Sequence, residues 1–317
     1  MALRTILHAL GGLAAALVLS TAAQAQLFRA YLAINGNDAN PCTLPQPCRL
    51  LPAALAAVAD GGEIWMLDSA NYNTATVTIG KSVSILAVPG AVGSVVATGG
   101  PAILVSASGL KVALRNLVIV PLPAAGATHG VHMTGASALT IEDSLIANLP
   151  VLGVYVSGAG TLRIAGTVLR GNASYAVWLE NGARGEISRT RMTDNTNGGV
   201  IAWNNVASRV TTVVVSDCVV ADKGGGVATG VSAVNQAAGS EARMTVTRTV
   251  LEGLFAAAHA ETGDVGSATT TLNAVTIAHN NYAWYRFGTG SLMRTMGNNQ
   301  FTDNTTTLGA LTPVALQ

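Results

Sequence analysis

A short apolar-x-apolar-x-x-small-x-apolar pattern returns along this chain every 23 to 31 residues, and that period constrains the fold more than any other feature. It reads Leu139-Thr-Ile141-Glu-Asp-Ser144-Leu-Ile146, then Leu162-Arg-Ile164-Ala-Gly-Thr167-Val-Leu169, then Gly185-Glu-Ile187-Ser-Arg-Thr190-Arg-Met192. Looser copies centre on Leu114, Val215, Val246, Leu272 and Met296, so successive anchors are 27, 23, 23, 28, 31, 26 and 24 residues apart. A second apolar strand keeps step with the first: Gly130-Val131-His132-Met133, Gly153-Val154-Tyr155-Val156, Ala176-Val177-Trp178-Leu179, Gly199-Val200-Ile201-Ala202 and Gly230-Val231-Ser232-Ala233. Each unit is too short for a crossover helix. Its strands must therefore stack on the same strands of neighbouring units, about 4.8 Å away, as parallel ladders. Leucine-rich repeats and propeller blades have similar periods, but their Leu/Asn and Trp-Asp signatures are absent.

The first 25 residues stand outside this repeat. Arg4, an apolar run from Ile6 to Leu19 and the small ending Ala23-Gln24-Ala25 have the layout of a secretory signal peptide cleaved before Gln26. A membrane anchor is the alternative, because Ile6 to Ala23 is just long enough to span. The small-x-small ending and the lack of positive charge after it favour cleavage. The expected product is an exported, periplasmic or extracellular chain with no later membrane span. We expect one elongated domain over 26–317: an N-terminal segment and cap over 26–62, coils over 63–301 and a C-terminal cap over 302–317. Without Arg4 the chain carries 16 basic and 16 acidic residues, a neutral balance that argues against nucleic acid as a partner. Export also bears on Cys42 and Cys48, which lie in Asn-Pro-Cys-Thr-Leu-Pro-Gln-Pro-Cys-Arg and are expected to close a small disulfide loop. A zinc site is the alternative, but no His or further Cys stands at ligand spacing.

Leu51 to Ala59 is rich in Ala and Leu with Pro52 near its start, which suits a short helix covering the apolar end of the first coil. Tyr31-Leu-Ala-Ile-Asn-Gly-Asn-Asp38-Ala-Asn-Pro41-Cys42, Pro47-Cys48-Arg49-Leu50-Leu51-Pro52-Ala53-Ala54-Leu55 and Gly61-Gly62-Glu63-Ile64 together resemble the start of pectin-lyase-like right-handed β-helix proteins. With the Asn-rich coils, the resemblance extends over nearly all of the expected mature chain. It implies an all-β, right-handed parallel β-helix solenoid with a short N-terminal capping helix. It implies no single activity, because this superfamily includes pectate lyases, polygalacturonases, other glycan-active enzymes, tailspike-like proteins and members without known catalysis.

Stacked coils turn equivalent positions into columns. Ser144, Thr167, Thr190, Cys218, Thr249 and Val275 form a small inward column, in which Cys218 reads as core packing. Asn172, Asn195, Asn280 and Asn304, with Asn148 one residue early, read as an asparagine ladder serving turn backbone groups. On the second strand, alternation sends His132, Tyr155, Trp178 and Ile201 outward, with Thr134, Ser157, Glu180 and Trp203 two residues on. Two of the four Trp residues thus gather on one ladder. Aromatic faces bordered by hydroxyls and a carboxylate suit a sugar ring; packing beneath a turn such as 204–208 is the other reading. A charged column, Arg189, Asp217 and Arg248, reads as an exposed ion-pair ladder or as a clamp for a uronate carboxylate. Arg163 should sit over Glu186.

Catalytic chemistry is less visible. Acidic residues are scattered singly, whereas a lyase would need a carboxylate cluster for Ca²⁺ with a nearby base, and a hydrolase two carboxyls across one bond. The Asn-Thr-Asp, Asp-Asp, Gly-His-Gly and Arg-Ile-Lys motifs of polygalacturonases are missing. His129, His132, His259 and His279 fall in separate coils and read as exposed turn or surface residues. The leading expectation is a polysaccharide or envelope-glycan binder using His132, Tyr155, Trp178, Glu180 and Trp203. No cofactor or metal is expected unless the chain is a Ca²⁺-dependent lyase. The alternatives are a lyase or hydrolase working around Arg189, Asp194, Asp217 and Arg248, and a structural surface protein.

Overall fold

The computed structural model describes residues 26–314 apart from 224, 225 and 264, so the expected signal peptide over 1–25 lies outside the described residues. The described residues form a right-handed parallel β-helix of three sheets with twelve, ten and ten strands. Each coil visits the sheets in the same order. In one coil, Ala138–Glu142 lies in sheet A, Leu145–Ala147 in sheet B and Val154–Val156 in sheet C, before Thr161–Ala165 returns to sheet A. The register follows the repeat: Leu114, Ile141, Ile164, Ile187, Val215, Val246 and Leu272 pair in series. Val131, Val154, Val177, Val200 and Val231 do the same in sheet C.

Two corners per coil are tight. The turn from sheet A to sheet B uses one left-handed residue, with φ of 49° at Asp143, 47° at Arg189, 55° at Asp217 and 46° at Arg248. Such a φ is unfavourable for non-glycine residues, and stacking compensates by pairing the turn amides. Arg189 N donates to Ser216 O and Asp217 N to Thr247 O, each at 3.1 Å in the following coil. The turn from sheet B to sheet C repeats the device at Asn148, Asp194, His279 and Asp303.

Behind each corner runs a polar column inside the coil. The Ser144, Thr167, Thr190 and Thr249 hydroxyls donate to the carbonyl two residues back, at 2.7 to 3.1 Å. Cys218 takes the same place, buried, with its Sγ 3.1 Å from Ser216 O; burial pushes the thiol up to about 11. In the asparagine column, Asn195 Oδ1 accepts both Asn172 N (3.2 Å) and Asn172 Nδ2 (2.7 Å), while Asn195 Nδ2 donates to Leu169 O (3.1 Å).

Three details differ from the repeat read along the chain. Leu272 pairs with Thr295, not Met296, because the inward residues of Ser291–Thr295 are Ser291, Met293 and Thr295. The ladders also extend beyond 63–301: Leu27–Leu32 pairs in parallel with Val58–Met66, and Leu311–Pro313 with Ser291–Thr295. The helix is Leu51–Ala57, ends before Ala59 and puts Leu51, Ala54 and Leu55 into the core. Cys42 and Cys48 form a disulfide.

Candidate functional site

Alternation within the strands of sheet C decides which side chains leave the core. Val131 and Met133 are buried around His132, Val154 and Val156 around Tyr155, and Val177 and Leu179 around Trp178. Parallel pairing sets His132, Tyr155, Trp178 and Ile201 in one outward row, with Glu180 and Trp203 adjacent in the next. Ile201 is closed off by its neighbours, while His132, Tyr155, Trp178 and Trp203 are half-buried. The rings touch as the row predicts. His132 stacks on Tyr155 with centroids 4.6 Å apart, and Trp178 meets Tyr155 and Trp203 edge to face at 6.5 and 4.8 Å.

Glu180 organises this row. It is 9% exposed, and its carboxylate accepts the Tyr155 hydroxyl at 2.9 Å and Trp178 Nε1 at 3.0 Å. A carboxylate this buried needs such donors, and in taking them it fixes the orientation of two rings. Trp203 Nε1, next in register, is buried without a hydrogen-bond partner among the described residues. His132 Nε2 lies 3.0 Å from Ser157 Oγ, so His132 and Ser157 also meet.

The histidines correct the expectation of dispersed surface residues. Separate coils are neighbours here, so His129 reaches both His132 and Tyr155, at 5.2 and 5.4 Å between centroids. Burial, with His132 nearby, holds His129 down from the ordinary 6.5 to about 4, and burial also lowers His132. Burial and then the Glu180 contact raise Tyr155 above the usual phenol range. Both imidazoles are thus neutral, and the phenol protonated, at neutral pH. His259 is likewise no surface residue: its side chain is 13% exposed. His279 alone of the four is exposed, in a turn between Glu252 and Asp303 at 3.3 and 3.6 Å.

The outward row continues past the residues singled out from sequence, through Ser232, His259 and Tyr285. His259 meets Tyr285 edge to face at 5.3 Å, and its Nε2 lies 3.3 Å from Glu261 Oε2, which lowers the Glu261 carboxyl. Tyr175 leans across Gly198 so that its hydroxyl lies 3.3 Å from Thr229 Oγ1, itself 2.8 Å from Ser232 Oγ. The signal was present in the sequence: Ala258-His259-Ala260 prolongs the second-strand pattern with Ala in place of Val, and Trp284-Tyr285-Arg286 follows one coil later.

The Arg/Asp candidates stand elsewhere. Arg189, Asp217 and Arg248 occupy the exposed A-to-B corners, where Arg248 grips Asp217 through two hydrogen bonds of 2.7 and 2.8 Å and so lowers its carboxyl. Asp194 sits in the B-to-C corner, across the strand Arg191–Thr193, with Lys223 Nζ at 3.8 Å. Arg163 sits over Glu186 at 2.8 Å, lining a shallow groove of about 530 Å³ on sheet A with Thr140, Arg184 and Ser216. Glu180 and Glu261 share a row three coil steps apart, about 14 Å at the usual strand spacing. That separation exceeds what two glycosidase carboxyls can bridge. Among the described residues no three His, Cys, Asp or Glu side chains converge as metal ligands.

Residues 129–306, more than half of the chain, match the family described as right handed beta helix region. A search of curated protein sequences finds no match. The structure is similar to that of the pectate lyase Pel9A, with a TM-score of 0.66 and 16% identity over 92% of this chain and 80% of that one. It is also similar to a rhamnogalacturonan lyase, with a TM-score of 0.51 and 13% identity over 91% and 85% of the two chains. At these identities the likeness concerns the fold.

Proposed function

This chain belongs to the right handed beta helix region family, and on that scaffold we propose an exported protein that binds a polysaccharide or envelope glycan along the outward face of sheet C. The observation that carries the reading is Glu180, a buried carboxylate that fixes Tyr155 and Trp178 in a row of half-exposed rings. Sugar rings present C–H faces to aromatic surfaces and hydroxyls to polar edges, and this row supplies both. Preorganisation lowers the entropy cost of binding, which matters for a shallow site. The Cys42–Cys48 disulfide supports an oxidising, periplasmic or extracellular setting. No helix among the described residues is long and apolar enough to cross a membrane.

The test is retention on immobilised polysaccharides. Trp178→Ala and Trp203→Ala are expected to lose retention at least about tenfold, the scale of about 1.4 kcal/mol for one aromatic contact. Circular dichroism and thermal melts must show both variants folded. Retention at wild-type level in folded variants would defeat the proposal.

A further inference from the structure

We infer that the glycan held on this face is free of acid groups, a neutral or amino-bearing polymer and not a polyuronate. The inference rests on the binding reading above and adds its specificity. Among the described residues, the outward rows of sheet C carry two carboxylates, Glu180 and Glu261, and no Lys or Arg. Arg286, the one such residue on these strands, pairs in register with Ala260 of the inward row and donates Nε to Ser291 O at 2.9 Å.

Composition does not force this. The chain has 17 Lys and Arg residues, and Arg163, Arg184, Arg243 and Arg294 all project from sheet A instead. At the margins of sheet C, Lys223 faces Asp194, and Arg209 lies in the turn leading away to sheet A, beside Gly182. The histidines do not reverse the sign. His129 and His132 are held neutral by burial, and His259 is engaged with Glu261, 3.3 Å away. A polymer with one carboxylate per sugar would lay repeated negative charge along two fixed ones with no cation to receive it, and like charges so placed disfavour the wrong partner. Hydroxyls, acetamides and ammonium groups meet no such opposition.

The experiment compares retention of the protein on neutral polysaccharides (a β-glucan, a mannan and chitin), on chitosan and on polygalacturonate, at low and high ionic strength. Wild type is expected to be held by at least one neutral or amino polymer and roughly tenfold less by polygalacturonate at low ionic strength. The gap should narrow when salt screens the repulsion and in Glu261→Gln, which leaves the Glu180 network intact. Polygalacturonate held as well as or better than the others at low ionic strength overturns the charge selectivity while leaving a glycan-binding face in place. Retention on none of the polymers overturns both.

Discussion

At the scale of single residues, Glu180 does most to distinguish this surface from an ordinary patch of exposed rings. Tyr155→Phe removes one of its two donors while keeping the ring. The expected loss is about 1.5–3 kcal/mol of stability, as for a hydrogen bond to a charged group, read as a lower urea midpoint with unchanged slope. A midpoint equal to wild type would mean that water serves Glu180 equally well. His129 gives a second residue-level expectation, in pH. Its folded value of about 4 lies below the ordinary 6.5, so the unfolded chain binds the extra proton between those values. Stability should therefore be full above about pH 6.5, fall as the pH drops towards 4 and then level off for this group. His129→Gln should flatten that part of the profile, as followed by thermal melts across the pH range. An unchanged profile would remove His129 as a contributor.

At the scale of the coil element, the polar columns explain why corners with left-handed residues persist through the stack. Asn195→Ala would strip acceptors from two Asn172 donors and a donor from Leu169 O, at about 1–3 kcal/mol for each group left buried and unpaired. Asn195→Leu fills the space but still leaves those groups unpaired. We expect it to lower the melting temperature too, by less than Ala does, whereas a wild-type melting point for Leu would assign the column to packing alone. Elements of this kind are also where the sequence was most readable. A two-residue alternation and a fixed period place Val131, Val154, Val177 and Val200 in the core without ambiguity, because a slip of one residue would expose every apolar side chain. The period failed at Met296, where the neighbouring Thr295 satisfies the inward position through Gly297 N and Asn299 Nδ2 instead of through apolar packing. The place of His259 and Tyr285 in the outward row is harder to read for a related reason, since Ala258 and Ala260 beside His259 and the charged Arg286 beside Tyr285 mark an inward face less clearly than the Val pair around Tyr155. The mutual contacts of Glu180, Tyr155 and Trp178 were out of reach, because a column predicts adjacency and not which way a carboxylate turns.

At the scale of the whole molecule, the solenoid separates its surfaces by chemistry. Arg-bearing sheet A offers a shallow groove, the A-to-B corners hold an exposed Arg248–Asp217 pair, and sheet C bears the aromatic rows. Exposed pairs of this kind contribute little to stability, so the corner charges require no ligand to explain them. The aromatic rows are different, because neighbouring coils gather His132, Tyr155, Trp178 and Trp203 around a buried acid. The most direct measurement is hydroxyl-radical footprinting by mass spectrometry, with and without a polysaccharide that retains the protein. We predict protection of Tyr155, Trp178 and Trp203 on binding, with Trp65 on sheet A unchanged. Binding that leaves those three rings as reactive as before, with protection confined to sheet A around Arg163 and Arg184 or to the Arg189, Asp217 and Arg248 corners, would contradict the assignment of sheet C as the ligand face.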